Sequence, residues 1–163
     1  MISRRPVPVR PKQAADQSWI DAILREHWGD GPIIIHGVAF DARALPALIA
    51  GDREGLATYS IDAGGRAAEL VTLNALRPRN AIGSALVAAL RDLLAERGIT
   101  NLRVTTTNDN LAALAFYQKR GFHLVAVRPG AVTESRKLKP SIPLIGENGI
   151  PLNDEIDLVL KIG

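Results

Sequence analysis

At 163 residues the chain is long enough to bury one sizeable core, and its 47% apolar content marks a folded globular protein. It has no cysteine, which excludes disulfides, thiolate metal sites and a cysteine nucleophile. A net charge of +3 is too small to point to nucleic acid, though it suits an anionic small molecule. No apolar run approaches the roughly 18 residues that span a bilayer, and Arg4, Arg5, Arg10 and Lys12 lead into no signal-like apolar stretch. The expectation is a soluble, cytoplasmic protein with neither membrane nor nucleic acid as partner.

Val7 to Val9 reads as a short strand at a sheet edge, the place that tolerates Pro6, Pro8 and Pro11. From Pro11 to Trp28 the apolar residues Trp19, Ile20, Ile23 and Leu24 recur at helical spacing, and Gly29-Asp30-Gly31-Pro32 ends the run. Ile33 to Ile35 is a compact β-branched strand. Asp41 has the chemistry of an N-cap, which predicts a short helix over Ala42 to Ala50 closed by Gly51-Asp52. Leu56 to Ile61 and Ala68 to Leu73 then form a hairpin through Asp62-Ala63-Gly64-Gly65.

The strongest helical stripe follows, with Ile82, Leu86, Leu90, Leu93 and Leu94 on one face and Gly98 as the stop. Ile99 to Thr105 returns to strand character. The polar turn Thr107-Asn108-Asp109-Asn110 opens a further helix that ends at Gly121. Phe122 to Val127 and Ile156 to Ile162 read as strands. Pro129 to Pro151 between them shows little periodicity and reads as a surface flap, a binding loop or a subunit contact. The order of elements predicts one mixed α/β domain over 1–163.

Chemistry concentrates around the two helix starts. A helix beginning near Ile82 exposes unpaired amide N–H groups and about half a positive charge, so an anion could rest on the amides of Arg79 to Ser84. Gly83 would permit close approach, and Arg77 or Arg79 could add charge. A plain loop with solvated arginines accounts for the same residues. The spacing is neither a Walker loop nor G-x-G-x-x-G. The Asn110 helix carries Tyr117, which is either an ordinary core residue or a placed phenol.

These two stretches together resemble motifs of the GNAT superfamily of acetyltransferases. The turn and helix from Asn74 to Ser84 resemble its motif A, Gln/Arg-x-x-Gly-x-Gly/Ala. The match is partial: Pro78 holds the Gln/Arg position, Ala81 replaces the first glycine and Gly83 matches the second. Asn110, Ala113, Phe116, Tyr117, Gly121 and Phe122 match motif B, Asn-x-x-Ala-x-x-Phe/Leu-Tyr-x-x-x-Gly-Phe. The resemblance implies the GNAT fold, a single mixed sheet of six or seven mostly antiparallel strands with about four helices and a V-shaped split between two central strands.

It further implies acetyl-CoA as co-substrate and transfer to a primary amine of a small molecule or peptide; no metal is expected, because no His/Asp/Glu spacing resembles a metal site. The backbone of Leu73 and Ala75 is then expected along the pantetheine arm, and the amides of Arg79, Asn80, Ala81, Gly83 and Ser84 on the pyrophosphate. Asn110 is expected to bond the pantetheine, and the Tyr117 hydroxyl to face the thioester sulfur as general acid. Glu69, on the strand leading to Leu73, is either the general base or a solvent-facing carboxylate. His36 has a near-neutral unperturbed pKa, but a lone histidine near a strand end is more often structural, and Asp154 with Glu155 could attract a cationic amine. A homodimer is a family expectation. The alternative is a non-catalytic acyl-CoA-binding or regulatory module on the same fold.

Overall fold

In a computed structural model, residues 5–77 and 81–163 are described. Nine strands and four α-helices follow in chain order among them: β1 (Val9–Pro11), α1 (Gln17–Trp28), β2 (Ile33–Ile35), β3 (Val38–Phe40), β4 (Ala47–Ala50), β5 (Gly55–Ile61), β6 (Ala67–Ala75), α2 (Ile82–Glu96), β7 (Asn101–Thr107), α3 (Leu111–Lys119), β8 (His123–Arg128), α4 (Ala131–Leu138) and β9 (Glu155–Lys161). Seven strands form a mixed sheet in the order β1-β4-β5-β6-β7-β9-β8, while β2 and β3 make a separate hairpin.

The helix expected over 42–50 is a correction. Ala47–Ala50 is a strand, paired antiparallel with β1 on one side and β5 on the other. Pro46 would lie inside that helix and break it, and it holds Leu45 away from the helical region. All four β4 residues are buried, so the segment reads as a continuous apolar run without a strand's alternation. The stretch after β8 is corrected too. It contains α4, which follows the left-handed Gly130 and buries only Val132 and Ser135, too few apolar positions to show a period.

Every neighbouring pair in the large sheet is antiparallel except β6 with β7. That parallel pair joins only Ala67–Leu70 to Asn101–Val104. Beyond Leu70 and Val104 the two strands run on unpaired with each other and part. The parting begins beside a bulge: Thr72 pairs with Thr58 and Leu70 with Tyr59, which leaves Val71 as the extra residue. A buried Thr58–Thr72 hydroxyl contact of 2.6 Å holds the strand on the far side of the bulge.

The sheet separates two apolar cores. Leu86, Leu90 and Leu94 of α2 pack with Leu70, Leu102, Tyr117 and Phe122 on one face. Ile20 and Leu24 of α1 pack with Ile33, Ile35, Ile49 and Val71 on the other. At about 25 cal/mol per Å² of apolar surface, each fully buried leucine or isoleucine stabilises by roughly 1.5–3 kcal/mol. The parting of β6 and β7 is therefore clamped from both faces. No described helix is long and apolar enough to cross a membrane.

Candidate active site

The parting forms a cleft of about 120 Å³ lined by Leu70–Leu73 of β6, Val104–Thr106 of β7, Asn110 and Tyr117 from α3, and Trp28. Tyr117 is 7% exposed and packs edge-on against Phe116 and Phe122, with ring centroids 5.2 Å away in both cases. Burial pushes its phenol pKa well above the ordinary value, which keeps the proton on the oxygen. Asn110 caps α3 through Oδ1, which accepts from the Ala113 N–H at 3.0 Å. Its NH₂ group makes no hydrogen bond among the described residues. Cap and cleft contact are therefore compatible in one side chain.

Leu73 is half-buried in the cleft wall, and Ala75 is exposed at the end of β6. Sequence reasoning missed Trp28, which appeared only as the last residue of a helix. Its indole Nε1 donates to Asn74 Oδ1 at 2.9 Å and ties the end of α1 to the rim of β6.

The start of α2 differs from expectation in how its residues are used. Gly83 packs directly on Phe116: a Cβ there would lie 3.0 Å from the Phe116 ring. The missing side chain thus lets α2 and α3 touch as well as opening the amides. Ser84 is also engaged, since Arg120 donates to its hydroxyl through Nε at 2.8 Å and Nη2 at 2.6 Å. The Arg120 guanidinium lies 3.6 Å from the Phe116 centroid, so the last turn of α3 delivers a fixed cation to the first turn of α2. Nothing in the helical period singles out that arginine. Ala81 is left-handed at φ 57°, the conformation that favours the glycine it replaces. Pro78, Arg79 and Asn80 lie outside the described residues, and Arg77 pairs with Glu54 at 3.5 Å on the surface.

Glu69 is not solvent-facing. It is 7% exposed and lines a hollow of about 390 Å³ on the α1 face of the sheet. One carboxylate oxygen lies 3.4 Å from Arg103 Nε, and the other, Oε1, has no hydrogen-bond partner among the described residues. Burial raises its pKa against the opposing pull of Arg103 and His36. His36 sits in the left-handed turn of the β2–β3 hairpin, with Nε2 2.6 Å from Asp157 Oδ1 and 3.2 Å from Thr105 Oγ1. Thr105 borders both this hollow and the cleft, so Glu69 stands behind the cleft wall.

His36, Glu155 and Asp157 bring ligand atoms within 4.8 Å of one another, a donor set a cation could use. Asp157 is nevertheless committed: Oδ1 meets His36 and Thr105, and Oδ2 accepts from Arg128 at 2.7 Å. Burial opposes its ionisation, but those bonds outweigh burial and hold its pKa below the usual carboxylate range. The trio is a hydrogen-bonded network of two buried carboxylates and an exposed imidazole. Of the two late acids expected to attract an amine, Asp154 is half-buried and accepts the Gly130 N–H, and Glu155 is buried and accepts the His36 N–H at 3.3 Å. Asp109 fastens loops, accepting from the Thr107 hydroxyl and from the Glu147 N–H at 2.8 Å.

Residues 47–122 match the model of the acetyltransferase (GNAT) family. The uncharacterized protein YdhI of Bacillus subtilis is 38% identical over 150 residues, which is 90% of this chain and 92% of that protein. The structure resembles an IAA acetyltransferase from Bacillus cereus with a TM-score of 0.73 at 19% identity, covering 95% of this chain and all of that one. It also resembles a GNAT family acetyltransferase from Elizabethkingia anophelis solved with acetyl-CoA bound, with a TM-score of 0.69 at 17% identity over 98% of this chain and all of that one.

Proposed function

The chain belongs to the GNAT family of acetyltransferases, and we propose that it moves an acetyl group directly from acetyl-CoA to a primary amine of a small molecule or peptide. The observation that carries this reading is Tyr117, a buried, protonated phenol set in the parting of β6 and β7. The structural neighbour with acetyl-CoA bound supports the choice of donor.

The pantetheine arm is assigned to the unpaired edge of β6 from Leu73 to Ala75, with the Asn110 NH₂ as a side-chain donor. The pyrophosphate is assigned to the first amides of α2, at Ala81, Gly83 and Ser84, with Arg79 and Asn80 expected beside them. Arg120 adds charge at the same place. The amine nitrogen attacks the thioester carbonyl carbon and the carbon–sulfur bond breaks. The departing sulfur takes the Tyr117 proton, and the proton lost by the amine passes to Glu69, directly or through water. A phenol remains a donor rather than an anion at neutral pH, and a carboxylate with a raised pKa is a stronger base than an exposed one.

The test is a calorimetric titration with acetyl-CoA followed by thiol-release kinetics across a panel of primary amines. Saturable binding with amine-dependent thiol release supports the transferase. Binding without turnover on any amine would favour the regulatory module and remove the catalytic reading.

A further inference from the structure

Beyond Trp28, which lines both, the cleft is neighboured by an open cavity of about 720 Å³ bordered by the end of α1, β2, α4 and residues 139–147. Its volume lies within the roughly 300–1,000 Å³ of small-molecule sites. Its walls are largely apolar, lined by Ile33, Ile34, Val132, Ile142, Ile145 and Leu152. Seven polar side chains also line it. His27, Ser141 and Glu147 are exposed, the Thr107 hydroxyl is spent on Asp109, and the bonding of Ser135, Lys139 and Asp109 shows which buried or fixed contacts remain for a guest.

Ser135 is 3% exposed, lines the cavity, and its Oγ has no hydrogen-bond partner among the described residues. A buried hydroxyl left unmatched is destabilising; the oxygen is shielded from solvent, so a guest recovers that loss once the Ser135 side chain turns toward it and donates. Lys139 Nζ donates to the carbonyls of Trp28 and Pro32, both at 3.0 Å. An ammonium has three N–H donors, so one remains, and the two carbonyl bonds fix where the charge sits. Burial lowers the Lys139 pKa, a sign that its ammonium is short of water. The third group is Asp109, which is 5% exposed and precedes the cleft residue Asn110. Each of its oxygens accepts one bond, which leaves lone pairs for a cationic donor. The loop over it needs Gly146, since a Cβ there would collide with the Asp109 carboxylate.

An apolar cavity that presents one fixed ammonium, one fixed carboxylate and one idle hydroxyl is complementary to a zwitterion with an apolar body. We propose that the acceptor is a free apolar amino acid, its carboxylate held by Lys139 and Ser135, its amine drawn to the Asp109 side and its side chain against the isoleucines. The inference rests on the acetyltransferase reading and adds the substrate class to it. A peptide lacks the adjacent carboxylate, and a simple amine leaves both donors unmatched.

The test compares L-leucine with L-leucinamide and 3-methylbutylamine, which keep the amine and the body but lose the carboxylate charge. Thiol release with saturating acetyl-CoA is expected to give leucine a kcat/KM at least tenfold above either analogue. Ser135→Ala removes only an unpartnered hydroxyl and so retains the fold. It is expected to lower the leucine-to-leucinamide ratio several-fold, and Lys139→Met to bring it near unity. Turnover of the analogues on a par with leucine overturns the inference and leaves the transferase standing. If no amine turns over although acetyl-CoA binds, the transferase reading falls, and calorimetry in the presence of CoA decides the cavity. Leucine binding above 3-methylbutylamine then supports the site, and equal or absent binding overturns it.

Discussion

Arg120 and Ser84 lie on different helices, and the Arg120 guanidinium donates to the Ser84 hydroxyl through two nitrogens at 2.8 and 2.6 Å. A third nitrogen bonds the Phe116 carbonyl at 2.9 Å, so the cation is fixed in orientation beside the amides of the α2 start. A fixed cation there adds to the half charge of the helix terminus and attracts a pyrophosphate. Arg120→Gln is expected to weaken CoA binding about tenfold, in line with the ~1.5–3 kcal/mol of a charge-assisted hydrogen bond. Calorimetry with CoA and with pantetheine, which lacks the phosphates, checks it. Equal losses for both ligands would assign Arg120 to helix packing alone.

Tyr117→Phe removes one oxygen from a ring wedged between Phe116 and Phe122 and leaves the packing intact. General acid catalysis typically contributes 10²–10⁴-fold, so kcat is expected to fall by about that much while the Kd for acetyl-CoA changes less than about threefold. An unchanged kcat excludes the phenol from proton transfer. Since burial raises its pKa, the alkaline limb of the wild-type pH profile is not assigned to this hydroxyl.

Glu69 gives a pH prediction with a definite sign. The proposed reaction uses its carboxylate as base, and burial raises its pKa despite Arg103 and His36, with Asp157 and Asp62 adding to the rise. The acidic limb of kcat/KM is therefore expected above the ordinary glutamate value of ~4.3 and to disappear in Glu69→Gln, with activity down roughly 10²–10⁴-fold. Stability runs the other way. A carboxyl whose folded pKa exceeds its unfolded one stabilises most below the unfolded value and loses that contribution as pH rises through the folded one. Glutamine resembles the protonated form, so Glu69→Gln is expected to raise Tm at neutral pH, with the gain fading toward pH ~4. A neutral-pH loss of Tm would show that the carboxylate is paired.

Much of this was legible in the chain because local rules and tertiary packing agree. The α2 stripe, the β5–β6 hairpin and the Asn110 cap each satisfy their own backbone and their core at once. β4 was not legible because burial on both faces erases the alternation that marks a strand. α4 was not, because a helix that faces a cavity needs few apolar residues. In the site, Tyr117 and Asn110 carry the resemblance, and both line the cleft. Trp28, Arg120 and the Glu69–Arg103 contact depend on neighbours 36 to 46 positions away or on a sheet pairing, which no local pattern encodes.

Ala81 offers a stability test at the edge of the site. It precedes α2 with φ 57° and ψ 21°, and its side chain contributes no cap. A left-handed conformation costs an L-residue roughly 1–2 kcal/mol, whereas glycine adopts it freely at the expense of a more entropic unfolded chain. The difference favours Ala81→Gly by about 1 kcal/mol, which for a domain of this size corresponds to a Tm gain of roughly 2–4 °C. The Ala81 carbonyl accepts the Ala85 N–H at 3.0 Å, a backbone bond that glycine retains, so the amide cradle keeps its shape. Acetyl-CoA affinity is accordingly expected within about twofold of wild type. Calorimetric melting of both proteins, with and without acetyl-CoA, checks the two statements together. A lower Tm would show that the α2 start is right-handed in solution, and the anion cradle assigned to it would then need a different geometry.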